Sequence, residues 1–183
     1  MKFRSLVVAG AACTAFALAP AAAQADTTTQ AVTGVTSGGA LSIGVVTAAA
    51  FPTLGTSSSG YTTTAGLIPV VAIGGWTMDV YGSDAGKLVN TLACGVRDAA
   101  TPTTNALQIQ APTATLAASF TAASGFPKAL AGSGSAVSLG SGTGSNAVNL
   151  NYKWTPDTDG ADADVLPAAC ALSQTSTVTV TGT

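Results

Sequence analysis

The stretch that decides the fold is Leu67–Tyr81, which reads LIPVVAIGGWTMDVY. Two apolar runs flank Gly74-Gly75, and such a pair favours a two-residue hairpin turn because both central residues of a type I′ turn need positive φ. The hairpin would place Ile73 opposite Trp76. Its apolar face would comprise Val71, Ile73, Trp76, Met78 and Val80. The alternative is one long strand kinked at the glycines, and either form predicts the core of a β protein.

Other short strands are predicted from alternating apolar and polar residues. Ala106–Ala111 alternates with Leu107 and Ile109 inward, and Cys170–Thr181 ends the chain with Val178 and Val180 inward. A further strand, Ala147–Trp154, places four residues on one face: Val148, Leu150, Tyr152 and Trp154.

Gly, Ser and Pro separate these strands. The Gly/Ser-rich stretch Gly132–Asn146 is predicted to be a mobile loop around a short edge strand at Ala136–Leu139. Strands at roughly ten-residue spacing are typical of sandwiches and barrels. The sequence therefore predicts an all-β fold, a single β-sandwich of short, mostly antiparallel strands with Gly/Ser/Pro-rich loops.

The N-terminus has the pattern of a secretory signal peptide. Lys2 and Arg4 precede an apolar run, and Ala23-Gln24-Ala25 supplies an A-x-A cleavage site before Asp26. Residues 1–25 are thus predicted to be the signal and residues 26–183 a single domain. The alternatives are an N-terminal membrane anchor, for which the apolar run is short, and a lipoprotein cleaved before Cys13.

Charge limits the partners of the mature chain. Removing 25 of the 183 residues leaves 158, with eight Asp against four basic residues and a net charge of −4. The basic residues are Lys87, Arg97, Lys128 and Lys153. So few cations cannot form a basic patch, which argues against nucleic acid as a partner. No apolar run after residue 25 reaches membrane-spanning length.

Two cysteines remain after cleavage, Cys94 and Cys170. In an exported chain an even count favours a disulfide. The bridge would close residues 94 to 170, a loop of 77 residues, and stabilise the fold by about 4 kcal/mol in the chain-entropy model. The alternatives are a pair of free, buried thiols and an unpaired Cys94.

Two tryptophan motifs resemble those of WxL-type cell-surface domains. They are Gly75-Trp76-Thr77-Met78 and Tyr152-Lys153-Trp154-Thr155-Pro156, with Met78 where the family usually has Leu. The resemblance implies a non-enzymatic protein attached non-covalently to a Gram-positive cell wall. It marks Trp76, Met78, Tyr152 and Trp154 as motif residues. The alternative is that both tryptophans are ordinary core residues of a sandwich.

The residues that usually carry catalysis are scarce. The chain contains no His and no Glu, so a Ser-His-Asp triad and an imidazole metal site are excluded. Asp79 and Asp84 are a conceivable glycosidase pair, but an outward strand residue and a turn residue explain them as well. We therefore expect no enzymatic activity.

One acidic loop is a candidate calcium site. It carries four carboxylates around Gly160, namely Asp157, Asp159, Asp162 and Asp164. Ca²⁺ takes several oxygen ligands from such loops. The alternative is a solvated acidic loop, and no other cofactor is predicted.

Together these features predict a secreted, non-catalytic protein of the cell surface or cell wall, acting in adhesion or display. A wall polymer, a surface glycan or a surface protein would be its partner. The alternative is a secreted glycan- or ligand-binding module that is not attached to the wall. Its ligand would be held by loops such as Ala48–Thr64 and Gly132–Asn146.

Overall fold

The computed structural model describes residues 28–35, 41–52, 54, 59–90, 102–115, 119–158, 164 and 172–183. These residues form an all-β fold of short, mostly antiparallel strands, which confirms the predicted fold class. Within the described part of the chain, no helix is long and apolar enough to cross a membrane.

Fourteen strands are described. They are β1 Thr28–Val35, β2 Leu41–Ile43, β3 Tyr61–Thr62, β4 Gly66–Ala72, β5 Gly75–Gly82, β6 Val89–Asn90, β7 Gln108–Ile109, β8 Thr113–Ala114, β9 Phe120–Ala122, β10 Lys128–Ala129, β11 Val137–Thr143, β12 Asn146–Leu150, β13 Tyr152–Trp154 and β14 Leu172–Gly182. Short 3₁₀ turns cover Ser83–Gly86 and Ser133–Ser135.

The strands form three sheets. The large sheet has the order β1-β14-β5-β11-β9, with β6 also paired to β14. The second sheet has the order β10-β7-β13-β3 and the third the order β2-β4-β12-β8. All of these pairings are antiparallel except β1 with β14, which is parallel.

The predicted hairpin at Gly74-Gly75 is wrong. β4 pairs with β2 and β12, whereas β5 pairs with β14 and β11, so the two strands lie in different sheets. Val71 is 53% exposed and Ile73 is 80% exposed, although the hairpin would have buried both. The kinked-strand alternative describes this stretch.

The physical reason for this outcome is side-chain parity. Even-numbered residues are buried on both sides of the glycines, with Ile68 and Val70 on β4 and Met78 and Val80 on β5. A continuous strand preserves this period of two, whereas a two-residue hairpin would reverse it. Gly74, with φ of 107°, supplies the bend where the chain leaves one sheet for another.

A second continuous stretch of chain also passes from one sheet into another. The predicted strand Ala147–Trp154 divides into β12 in the third sheet and β13 in the second sheet. Its predicted inward face is confirmed, because all four residues are buried: Val148, Leu150, Tyr152 and Trp154. Two continuous strands therefore connect the sheets around one hydrophobic core.

The residues predicted to point inward on Ala106–Ala111 and on Cys170–Thr181 are also buried: Leu107, Ile109, Val178 and Val180. Within Gly132–Asn146 the predicted strand is present, but it is longer than predicted, because it runs from Val137 to Thr143, and it is not an edge strand over its whole length. β11 is an inner strand, paired with β5 on one side and β9 on the other. Its glycines are required by packing, since a Cβ on Gly142 would lie 2.3 Å from Trp76 Cζ2, and one on Gly140 would lie 2.3 Å from the Thr121 carbonyl oxygen and 2.9 Å from Phe120 Cζ. The glycines that give this segment the composition of a linker therefore allow aromatic rings to pack close to the strand.

Candidate binding surface

The outer face of the large sheet carries rows of hydroxyl groups. Because Trp76 and Met78 on β5 and Val178 and Val180 on β14 point into the core, the residues between them face outward. Cross-strand register then aligns one row over four strands: Thr121, Ser141, Thr77 and Thr181.

A second row lies beside the first. Thr143 pairs with Gly75, and its N–H donates to the Ser119 carbonyl at 2.9 Å. The Thr183 N–H donates to the Gly75 carbonyl at 2.9 Å, and the Thr183 hydroxyl occupies the space that a Cβ on Gly75 would need. We call the seven hydroxyl residues of the two rows the hydroxyl array: Thr77, Ser119, Thr121, Ser141, Thr143, Thr181 and Thr183.

One end of the hydroxyl array forms an open cleft of about 280 Å³. It is lined by Ser119, Thr121, Ser141, Gly142 and Thr143. Next to it the buried amide of Asn146 donates through Nδ2 to Ser119 Oγ and to the Thr143 carbonyl. The hydrogen bonds of Asn146 therefore hold Ser119 and Thr143 in place beside the cleft. Each hydroxyl group that lines the cleft can both donate and accept a hydrogen bond.

Trp76 supports the hydroxyl array from the core side. Its side chain is 1% exposed, and its Nε1–H donates to the Gly144 carbonyl at 2.9 Å. The indole stacks on Phe120 with ring centroids 5.8 Å apart and planes at 22°. These contacts tie β5, β9 and the β11–β12 connection together beneath the rows.

The face is almost uncharged. On the described residues of β5, β9, β11 and β14, Asp79 is the only charged side chain. Lys128, on β10, reaches the Ser138 carbonyl at 3.3 Å and lies 4.6 Å from the Phe126 ring centroid. The array can therefore offer hydrogen bonds but no set of cations for an anionic ligand.

The predicted motif residues are core residues, as the alternative held. Trp76, Met78, Tyr152 and Trp154 are all buried. Trp154 stacks on Tyr61 with centroids 6.3 Å apart, and no described group accepts from its Nε1–H. In this fold neither indole is presented to an external ligand.

The acidic loop is only partly described, because Asp159 and Asp162 lie outside the described residues. Asp164 is 2% exposed. Its Oδ2 accepts from the Asp157 N–H at 2.9 Å, and its Oδ1 accepts from the Thr104 N–H at 3.2 Å. Among the described residues no group of three metal-binding side chains comes together. Calcium binding stays a prediction, and the described hydrogen bonds of Asp164 join two loops.

Two predicted pairs remain, the carboxylates Asp79 and Asp84 and the cysteines Cys94 and Cys170. Asp79 is an outward residue of β5 and Asp84 lies in the 3₁₀ turn with φ of 46°, so both match the alternative to a glycosidase pair. Cys94 and Cys170 lie outside the described residues, and their disulfide stays a prediction.

The two loops that were predicted to hold a ligand lie in different parts of the structure. In Ala48–Thr64, residues 53 and 55–58 lie outside the described residues, and Ala49 and Phe51 belong to the core. The stretch Gly132–Asn146 supplies Ser141 and Thr143 to the hydroxyl array. A second, amide-bearing cleft of about 420 Å³ is lined by Asn105, Ala106, Gln108, Ala129 and Thr155.

The outward threonines of β14 could be predicted from the sequence, but their alignment with residues of the other strands could not.

Comparisons of the chain with protein-family models, with curated proteins and with solved structures find no match.

Proposed function

We propose that this protein is a secreted, non-catalytic β-sandwich that acts by non-covalent contact at the cell surface, in association with the cell wall. The observation that carries the proposal is the hydroxyl array, an ordered and almost uncharged contact face on a well-packed sheet. The signal-like N-terminus and the WxL-like motifs support an extracellular, wall-associated setting.

The chemistry of the chain favours contact over catalysis. With neither His nor Glu in the sequence, most of the usual acid–base groups are missing. The buried carboxylate of Asp164 is engaged by main-chain N–H groups. Among the described residues of its sheet face, Asp79 has no second carboxylate of the kind that glycoside hydrolysis uses.

In this proposal the first WxL-like motif supports the contact face from the core side without touching the wall, whereas the second motif packs in the core beneath another sheet. Trp76 is buried under β9 and β11 and fixes their positions relative to β5. The proposed disulfide between Cys94 and Cys170 would add stability outside the cytoplasm.

Sedimentation with purified cell walls tests the proposal. The mature protein should pellet with walls, stay soluble without them, and be released by denaturant with no covalent cleavage. Protein that stays in the supernatant with walls at modest salt would contradict wall association and favour the free binding module. Hydrolysis of a glycan or peptide, abolished by a single Asp→Asn or Ser→Ala change, would contradict the non-catalytic assignment.

A further inference from the structure

The hydroxyl array is spaced like a grid. Neighbouring strands lie about 4.7–4.9 Å apart, and residues on one face of a strand repeat about every 6.7 Å. The register places Thr121, Ser141, Thr77 and Thr181 along the first direction. On β14 the outward positions continue through Thr179 and Thr177 along the second direction.

This grid suits a ligand that repeats hydroxyl groups. A hydroxyl donates one hydrogen bond and accepts up to two, so a row of Thr and Ser matches a row of hydroxyls without a unique pattern of donors and acceptors. The β-branched methyl of Thr77 or Thr181 adds an apolar surface beside each hydroxyl, which complements the C–H faces of sugar rings.

Charge narrows the ligand class. The described strands of this face hold Asp79 and no cation, and Lys128 reaches the sheet at Ser138 rather than along the array. A phosphate-bearing or other anionic polymer would therefore find no row of partner charges on the array and would be repelled by Asp79. A protein partner is a poorer match, because protein interfaces centre on buried aromatic or Arg anchors and the outward aromatic residue of β5, Tyr81, lies beyond Asp79 and outside the two rows. The partner that fits is neutral and rich in hydroxyls.

We infer that the hydroxyl array binds an uncharged polysaccharide, with the polymer lying along the row Thr121, Ser141, Thr77 and Thr181 and one end in the cleft at Ser119. This inference rests on the proposed function and names its ligand class and contact face. Each hydrogen bond is weak on its own, but a polymer engages many at once and the repeat raises the effective concentration of the next contact.

Depletion from solution by insoluble polysaccharide tests the inference. The mature protein is mixed with cellulose, with chitin, with purified walls, and with a phosphate-bearing wall polymer as a charged comparison. Binding to at least one of the two uncharged polysaccharides, stronger than binding to the phosphate-bearing polymer, is expected. Stronger binding to the charged polymer, or no binding to either uncharged one, would overturn the inference.

A matched pair of variants locates the site. The array variant combines Thr77→Val, Ser141→Ala and Thr181→Val, which remove three hydroxyls and keep the β-branched shape at the two threonines. The control variant combines Thr113→Val on β8 and Thr62→Val on β3, both exposed and both outside the large sheet. The array variant should bind the uncharged polysaccharide about tenfold or more weakly, because three hydrogen bonds are lost, while the control binds like the wild type.

Thermal unfolding of both variants confirms that they fold. If the array variant fails to fold, competition replaces it: a soluble oligosaccharide of the same uncharged polymer should release the wild type from the solid, and failure to do so overturns the inference. Equal binding by a folded array variant also overturns it, while wall binding leaves the proposed function standing. Binding to neither walls nor polysaccharide contradicts both proposals.

Discussion

Replacing Gly142 with Ala should destabilise the fold, although the same change at an unhindered glycine would stabilise it. At a compatible position Gly→Ala adds about 0.4–1 kcal/mol of stability through the unfolded state. At Gly142 the new Cβ would lie 2.3 Å from Cζ2, 2.7 Å from Cε2 and 2.8 Å from Cη2 of Trp76. Carbon atoms in contact prefer about 3.5–4.0 Å, so the buried indole or β11 must move by about 1 Å.

The indole has little freedom to move, because it stacks on Phe120 and donates to the Gly144 carbonyl. Overpacking of this kind costs about 1–3 kcal/mol, and we expect the upper part of that range, about 2–3 kcal/mol. For a chain of this size the midpoint of thermal unfolding should fall by roughly 4–12 °C. Ser141→Ala, an exposed change on the same strand, should shift stability by less than about 0.5 kcal/mol.

A double-mutant cycle with Trp76→Phe assigns the clash. Phe is shorter than Trp and lacks the outer indole atoms, so Gly142→Ala should cost at least about 1 kcal/mol less in that background. Denaturant unfolding of the four proteins measures the coupling. A Gly142→Ala protein as stable as the wild type, or a coupling near zero, would refute the packing of Trp76 beneath β11.

Three further outcomes follow from the fold. Val71→Thr should be nearly neutral, whereas Val70→Thr should cost about 1–3 kcal/mol because it buries an unpaired hydroxyl; a larger loss of stability for Val71→Thr than for Val70→Thr would contradict this and favour the hairpin. Asp164→Ala should destabilise by about 1–3 kcal/mol because two main-chain donors lose their acceptor, and added Ca²⁺ should leave the melting temperature of the wild type unchanged if these hydrogen bonds alone hold the loop; a rise that saturates with Ca²⁺ would show a metal site. The exported protein should begin at Asp26 and be two hydrogens lighter than its dithiol form by intact mass, and two thiols alkylated without reductant would contradict the disulfide.

Period-two patterns made several strand faces readable from the sequence. Leu107 with Ile109, and Val178 with Val180, are buried as predicted, because alternation along one strand is a local property. The all-β class followed from the same local signals. The strongest local signal, Gly74-Gly75, failed for the hairpin because two glycines permit a bend as readily as a turn.

Features that depend on distant strands were not readable. β11 resembles a linker by composition, yet Gly142 is required by the close packing of Trp76, which lies more than sixty residues earlier in the chain. The rows of the hydroxyl array depend on register across four strands, and register is set by pairing partners that a single sequence does not reveal. The outward threonines of β14 were visible, but the surface they complete was not.

The most direct test of the contact face is an NMR titration of the mature, labelled protein with a soluble, uncharged oligosaccharide. The methyl groups of Thr77 and Thr181 should shift progressively, while the exposed methyl groups of Val71, on the third sheet, should stay in place. Shifts centred on Val71 and Ile73, or no shift at Thr77 and Thr181 at saturating oligosaccharide, would contradict the hydroxyl array as the binding surface.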